Sequence, residues 1–223
     1  MIQAVIFNLD GVLVNTDECQ YEAWRQLAHE QGIPFDERIN RSIRGMKRMD
    51  GLRVLLRKAE RRYGMGEMLA LSARKNDIFN ELIQTLGPRN ICPGAVEAVT
   101  ALRQMGIKTA VGSCSENAAG ILRQLNLHGL FDVIVDGGKV SRGKPDPEVF
   151  LLTADELQLP PSNCLAVEDG LPGLEAARRC GMQTVAIGED LRNVNADFWA
   201  ENILLADLPG IVERDYVPPD GAE

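Results

Sequence analysis

Residues 5–12 read Val5-Ile6-Phe7-Asn8-Leu9-Asp10-Gly11-Val12, and their reading decides the fold. An apolar run of the kind that forms a buried strand ends in two polar side chains, and a glycine then lets the backbone turn. Side chains alternate faces along a strand, so Asn8 and Asp10 lean to the same side at its carboxyl end. Two acid-type positions are thus presented together, but one of them is an amide.

Working outward, short apolar runs recur at residues 4–9, 108–113, 133–136, 164–168 and 184–187, each followed by a turn. Helical periodicity fits residues 95–105, 117–125, 147–157 and 171–180, with Gly106 and Gly181 placed as carboxyl-terminal stops. Strand alternating with helix predicts the α/β class, a Rossmann-like parallel sheet with helices on both faces. Residues 15–88 break this rhythm. They carry no strand-like run, and place Tyr21, Trp24, Leu27 and Ala28 on one helical face and Leu52, Leu55 and Leu56 on another. The expected organisation is a core of residues 1–14 and 89–223 with an inserted all-α helical cap at 15–88, its crossings near 14–16 and 87–93 acting as hinges. The alternative is that these helices merely cover one face of the sheet. Residues 217–223 read as a frayed tail.

Composition narrows the partners. With 24 Lys and Arg against 32 Asp and Glu, the net charge of −8 argues against nucleic acid or an anionic membrane and asks any anionic ligand for a local pocket of cations. Cys19, Cys92, Cys114, Cys164 and Cys180 show no metal-binding spacing and are expected to be free thiols in a reducing cytoplasm. No run approaches the roughly 20 apolar residues of a membrane helix, and no signal-like segment follows Met1. The expectation is a cytoplasmic, monomeric protein with a small-molecule ligand.

In open parallel sheets ligands bind beyond the carboxyl ends of the strands. Those ends offer Asn8 and Asp10, then Ser113, then Lys144 in Gly143-Lys144-Pro145-Asp146-Pro147, then Glu168 and Asp169. Taken singly, these are a strand-end serine, a loop lysine and an acidic helix cap. Placed together at successive strand ends, they suit a hard cation and a phosphoryl group: Asp169, Glu168, Asp10 and the side chain at position 8 as oxygen ligands of Mg²⁺, Ser113 and Lys144 on the phosphate.

At this point the chain resembles the haloacid dehalogenase superfamily of phosphotransferases along nearly its whole length. The motifs are Phe7-Asn8-Leu9-Asp10-Gly11-Val12, Val111-Gly112-Ser113, Gly143-Lys144-Pro145-Asp146-Pro147 and Val167-Glu168-Asp169-Gly170-Leu171-Pro172-Gly173. Within it, the group of β-phosphoglucomutases is most similar, through Thr16, Trp24, the runs Arg44-Gly45-Met46-Lys47-Arg48 and Arg74-Lys75-Asn76-Asp77, and Ser115 and Asn117. The resemblance implies a nucleophile at position 8, a general acid and base at Asp10 whose carbonyl also ligates the metal, and a phosphoryl site at Ser113 and Lys144. It further implies Mg²⁺ on Glu168 and Asp169, and substrate contacts from Thr16, Gln20, Trp24, Arg48, Lys75, Ser115 and Asn117. Arg48 would grip a second phosphate, which its planar guanidinium suits; its plainer reading is a solvated arginine in a basic loop.

Three departures bear on function. Asn8 stands where the family pattern has the nucleophilic aspartate, and a neutral amide neither attacks phosphorus well nor brings charge to a metal. Either an aspartate has been replaced in an otherwise intact site, or the chain binds without reacting. Gln20 stands where members moving phosphate between hexose positions usually have histidine, and Glu116 where they have lysine, which leaves a sugar-phosphate phosphatase beside the mutase. Asn15, where an acid is common, reads as a simple turn residue. His29 and His128 lie near no motif and read as surface residues.

Overall fold

The computed structural model describes residues 1–214, so the expected tail at 217–223 lies outside the described residues. Six strands form one parallel sheet: β1 (Ala4–Phe7), β2 (Lys108–Gly112), β3 (Val133–Val135), β4 (Cys164–Glu168), β5 (Gln183–Ile187) and β6 (Phe198–Ala200), in the order β3-β2-β1-β4-β5-β6. β1 pairs with β2 on one side and β4 on the other, with Ile6 opposite both Ala110 and Ala166. The strand order therefore reverses at β1, so its carboxyl end is the switch point where such sheets bind ligands.

The alternation of β1 divides the interior. Val5 and Phe7 face a cluster shared with Val99 and Leu102 of α5 (Ala95–Gln104), Ile121 and Leu122 of α6 (Ala118–Gln124) and Ile211 of α9 (Leu208–Arg214). Ala4 and Ile6 face Phe150 and Ala154 of α7 (Glu148–Glu156) and Ala176 and Ala177 of α8 (Leu171–Arg179). Both faces of the sheet are thus covered, as continuous apolar strands require. Gly106 and Gly181 close α5 and α8 with φ of 78° and 81°, in the left-handed region that glycine enters without strain. The sixth strand is an addition to the five expected from the sequence.

Between β1 and α5 the chain forms four α-helices, a short 3₁₀ turn at Pro88–Asn90 and no strand: α1 (Asp17–Glu30), α2 (Glu37–Ile43), α3 (Arg48–Leu56) and α4 (Met65–Ile83). α1 buries Ala23, Trp24, Leu27 and Ala28, a single stripe at helical spacing. Leu52 and Leu55 of α3 and Ile78 and Phe79 of α4 are buried in the same cluster. Gly51 lies so close to Trp24 that a methyl there would sit 3.1 Å from the indole. The two crossings run side by side. Asn15 N donates to Asn90 O at 2.7 Å and Cys92 N to Leu13 O at 3.0 Å, so residues on both strands of the connection are tied together.

Candidate active site

Immediately after β1 the backbone folds into a tight turn. Asn8 N still donates to Val167 O of β4 at 2.9 Å, while Leu13 N and Val14 N both return to Leu9 O at 2.9 and 3.0 Å. Gly11 sits at the bend with φ of 73°, and a Cβ there would lie 2.1 Å from Asp169 Oδ2. Glycine is needed for both reasons: a left-handed backbone and a carboxylate pressed against it.

The core side of the site is a closed hydrogen-bond network. Lys144, in the loop preceding α7, is buried and donates to Asn8 Oδ1 at 3.2 Å, to Gly112 O at 3.1 Å and to the Glu168 carboxylate. Burial opposes its ammonium form, but the Glu168 carboxylate beside it prevails and holds the lysine pKa up. Asn8 Nδ2 donates to Asp169 Oδ1 at 2.9 Å and to the Asp10 carbonyl at 3.0 Å. Thr16 Oγ1, at the head of α1, donates to the Asp10 carboxylate. Burial raises the Asp10 pKa, with the Thr16 hydrogen bond opposing. Asp169 is pushed up to about 7 by burial and by the neighbouring Glu168 charge, against the pull of Arg44 and the Asn8 amide. Ser113, buried at the end of β2, accepts from Ser115 N at 3.1 Å, and Ser115 Oγ accepts from Asn117 N at 3.3 Å.

The cap side descends on these groups through the basic turn 44–48, whose three cations each meet a different core loop. Arg44 bonds Asp169 Oδ2 at 2.8 Å, after β4, and also Asp17 at 2.9 Å. Lys47 Nζ donates to Val140 O and, at 3.3 Å, to Ser141 O, after β3. Arg48 meets Glu116 Oε2 at 2.5 Å, after β2, while its Nε donates to Ser72 Oγ at 3.1 Å. Lys75 is buried between the rings of Trp24 and Phe79, 5.0 and 4.5 Å from their centroids, and donates to Gln20 Oε1 at 2.5 Å. Burial, with the Arg48 charge adding to it, lowers its pKa to about 7.

Core and cap enclose a cleft of about 720 Å³, within the range of small-molecule sites. Asn8, Asp10, Ser113, Lys144, Glu168, Asp169, Gln20, Trp24, Arg48, Lys75, Ser115 and Asn117 all line it. Thr16 does not; it stands behind Asp10 as a hydrogen-bond donor. Asn15 is a turn residue, its Oδ1 accepting from Asp17 N at 3.2 Å, and both histidines are exposed. Arg44 and Lys47 lay in a run that the sequence singles out, yet their partners lie about a hundred residues away in the chain. No spacing rule identifies such pairs.

The oxygen chemistry of the site fits a hard cation such as Mg²⁺, which is content with one or two carboxylates completed by water and phosphate oxygens. Asp169 Oδ1 and the Asp10 carbonyl converge within 3.0 Å of one atom, Asn8 Nδ2. Two of the expected ligands face elsewhere: the Glu168 carboxylate is turned to Lys144, and Asn8 presents its N–H groups, not its oxygen, to the converging pair. Among the described residues no group of three or more His, Cys, Asp or Glu side chains is arranged to hold a metal by itself.

A parallel sheet with acidic and cationic groups gathered at its switch point, beneath an inserted helical cap, is a class of phosphoryl-handling architecture. Residues 2–181 match the haloacid dehalogenase-like hydrolase family, and the chain belongs to it. It is 37% identical over 198 residues to the β-phosphoglucomutase of Bacillus subtilis, covering 88% of each protein. It is 33% identical over 187 residues to a phosphorylated carbohydrates phosphatase of Thermotoga maritima, covering 82% of this chain and 84% of that one. Among solved structures, β-phosphoglucomutase from Clostridium difficile superposes with a TM-score of 0.90 at 33% identity, over 96% of this chain and 97% of that one.

Proposed function

We propose that the chain has the site of a Mg²⁺-dependent phosphotransferase of the phosphoglucomutase-like kind, which takes a small sugar phosphate beneath a hinged cap of residues 15–88. In this reading Asn8 closes the phospho-enzyme route. The observation that carries the reading is the placement of position 8, within hydrogen-bond reach of the Lys144 ammonium on one side and Asp169 on the other. With aspartate there, a carboxylate oxygen would attack phosphorus and form an acyl phosphate, while the ester oxygen would leave with a proton from Asp10. The raised pKa of Asp10 suits that donor. Ser113 and Lys144 would hold the phosphoryl oxygens. Mg²⁺, on Asp169 and the Asp10 carbonyl, would offset phosphoryl charge. The amide of Asn8 has no comparable electron pair to offer, so binding would remain without transfer. Five thiols, none in a disulfide, support a reducing, cytoplasmic setting.

A second reading, a sugar-phosphate phosphatase, is favoured by Gln20 holding Lys75 and Glu116 holding Arg48. A mutase and a phosphatase working from this site would share the first chemical step and differ in the acceptor of the phosphoryl group. The test is Asn8→Asp protein with β-glucose 1-phosphate, Mg²⁺ and a bisphosphate primer, beside the parent chain. Turnover in the variant alone is expected. Glucose 6-phosphate as product marks a mutase and inorganic phosphate a phosphatase. An inert variant whose parent still binds phosphosugars would leave a non-catalytic binder of phosphorylated ligands in their place.

A further inference from the structure

Where Arg48 of the cap meets Glu116 of the core, the charge arrangement lining the cleft bears on which phosphate esters it admits. Arg48 is already engaged by a carboxylate across the gap between cap and core, with Glu116 Oε2 at 2.5 Å. Arg48 Nε is also committed, to Ser72 Oγ at 3.1 Å. Nearby Asn117 Nδ2 donates to Asn76 Oδ1 at 2.9 Å, and Lys75 is spent on Gln20 between two aromatic rings. Arg48, Asn117 and Lys75 thus have acceptors within the protein, and the acceptor on Arg48 is a carboxylate.

We propose that the Arg48–Glu116 pair determines specificity: it admits a phosphate monoester whose remaining part is a neutral polyol, and it refuses a ligand with a second phosphate at the far end. The proposal rests on the phosphosugar reading of the core site in its phosphatase form, since a mutase must hold a ligand with two phosphates. A second phosphate would have to take Arg48 from Glu116 and then lie against that carboxylate, and like charges brought together across an interface are a general physical means of rejecting a wrong partner. It would also break a contact between cap and core, so binding would work against closure. A sugar hydroxyl meets neither obstacle, because it donates and accepts at once and can bond to both members of the pair without separating them. The Glu116 side chain is 41% exposed, so its charge stays hydrated at the rim while the pair spans the opening.

The experiment uses the parent chain, in which Asn8 keeps ligands intact, and measures affinity by calorimetry with Mg²⁺ for glucose 6-phosphate, glucose 1,6-bisphosphate and inorganic phosphate. Expected is a preference of tenfold or more for the monophosphate. Glu116→Gln, which keeps the size and hydrogen-bonding capacity of the side chain, should raise bisphosphate affinity about tenfold and move monophosphate affinity less than threefold. Equal or tighter binding of the bisphosphate by the parent overturns the proposal, as does an equal gain for both esters in Glu116→Gln. Ser113→Ala separates the two levels of inference. Loss of both esters in that variant, with no monophosphate preference in the parent, sinks the specificity pair alone. Failure of the parent to bind inorganic phosphate or either ester sinks the phosphoryl site and the pair with it.

Discussion

The two walls of the cleft are held by opposite kinds of interaction. On the core wall, Lys144 and Glu168 have side chains 4% and 2% exposed, and Lys144 and Asn8 bond Gly112, Glu168, Asp169 and the Asp10 carbonyl. Between cap and core, the ion pairs are partly open to solvent: the Arg44 side chain is 43% exposed against 12% for Asp169, and that of Arg48 21% against 41% for Glu116. Buried networks hold their shape whatever the ionic strength, whereas solvent-facing pairs are weak and screened by salt. Under the proposed function, the contrast would set a preformed phosphoryl site beneath a cover whose closure is cheap to reverse, as ligand entry requires.

Breaking the core wall should have the largest effect. Lys144→Met leaves Glu168 buried without its cation, and removing one partner of a buried pair costs about 3–5 kcal/mol. Urea denaturation should show that loss, and a cost below about 1 kcal/mol would mean that the network is not the anchor described here.

Lys75 sharpens the comparison, being a cap cation that is buried like the core ones. Its folded-state pKa of about 7 lies below the ordinary lysine value, so between that pH and about 10 the unfolded chain binds more protons than the folded one. Stability contributed through Lys75 therefore rises with pH across this window, and below it the burden of burying the ammonium is fully present. Lys75→Met removes the effect. Its stability relative to the parent should be most favourable near pH 6 and fall by about 2 kcal/mol between pH 7 and pH 9. Parallel curves for the two proteins would show that Lys75 does not change its proton on folding.

Smallest is the effect of Arg44→Ala on global stability, about 1 kcal/mol or less, because the guanidinium is half-exposed although its partner Asp169 is largely buried. Amide exchange should nonetheless quicken in residues 44–48, and raising the salt should reproduce much of that change in the parent. A loss as large as that of Lys144→Met would erase the distinction between the walls.

The core was legible in the sequence because its signals are local. Five apolar runs and the stops at Gly106 and Gly181 follow from strand burial and from left-handed glycine, and each needs only a few neighbouring residues. β6 escaped because Phe198-Trp199-Ala200 is a three-residue edge strand with Asp197 and Glu201 at its ends, too short to show alternation. In the site, the motifs at the strand ends put Asn8, Asp10, Ser113, Lys144 and Asp169 together, since successive strand ends must converge. The cap contacts were not legible in the same way. Periodicity says which face of α1 or α4 is buried, but not that Arg44 meets an acid 125 residues on, nor that the Glu168 carboxylate takes Lys144 as its partner.

The tied crossings, where Asn15 meets Asn90 and Leu13 meets Cys92, carry one more consequence. The helical insertion leaves the sheet and re-enters it at a single point, so to the core it is a loop whose ends are already joined. The entropy of closing such a loop grows only logarithmically, about 0.6 kcal/mol for each doubling of its length. Lengthening or shortening the insertion thus costs the sheet little, and the roof over this site can change size, and with it the shape of molecule admitted, while the floor stays as it is.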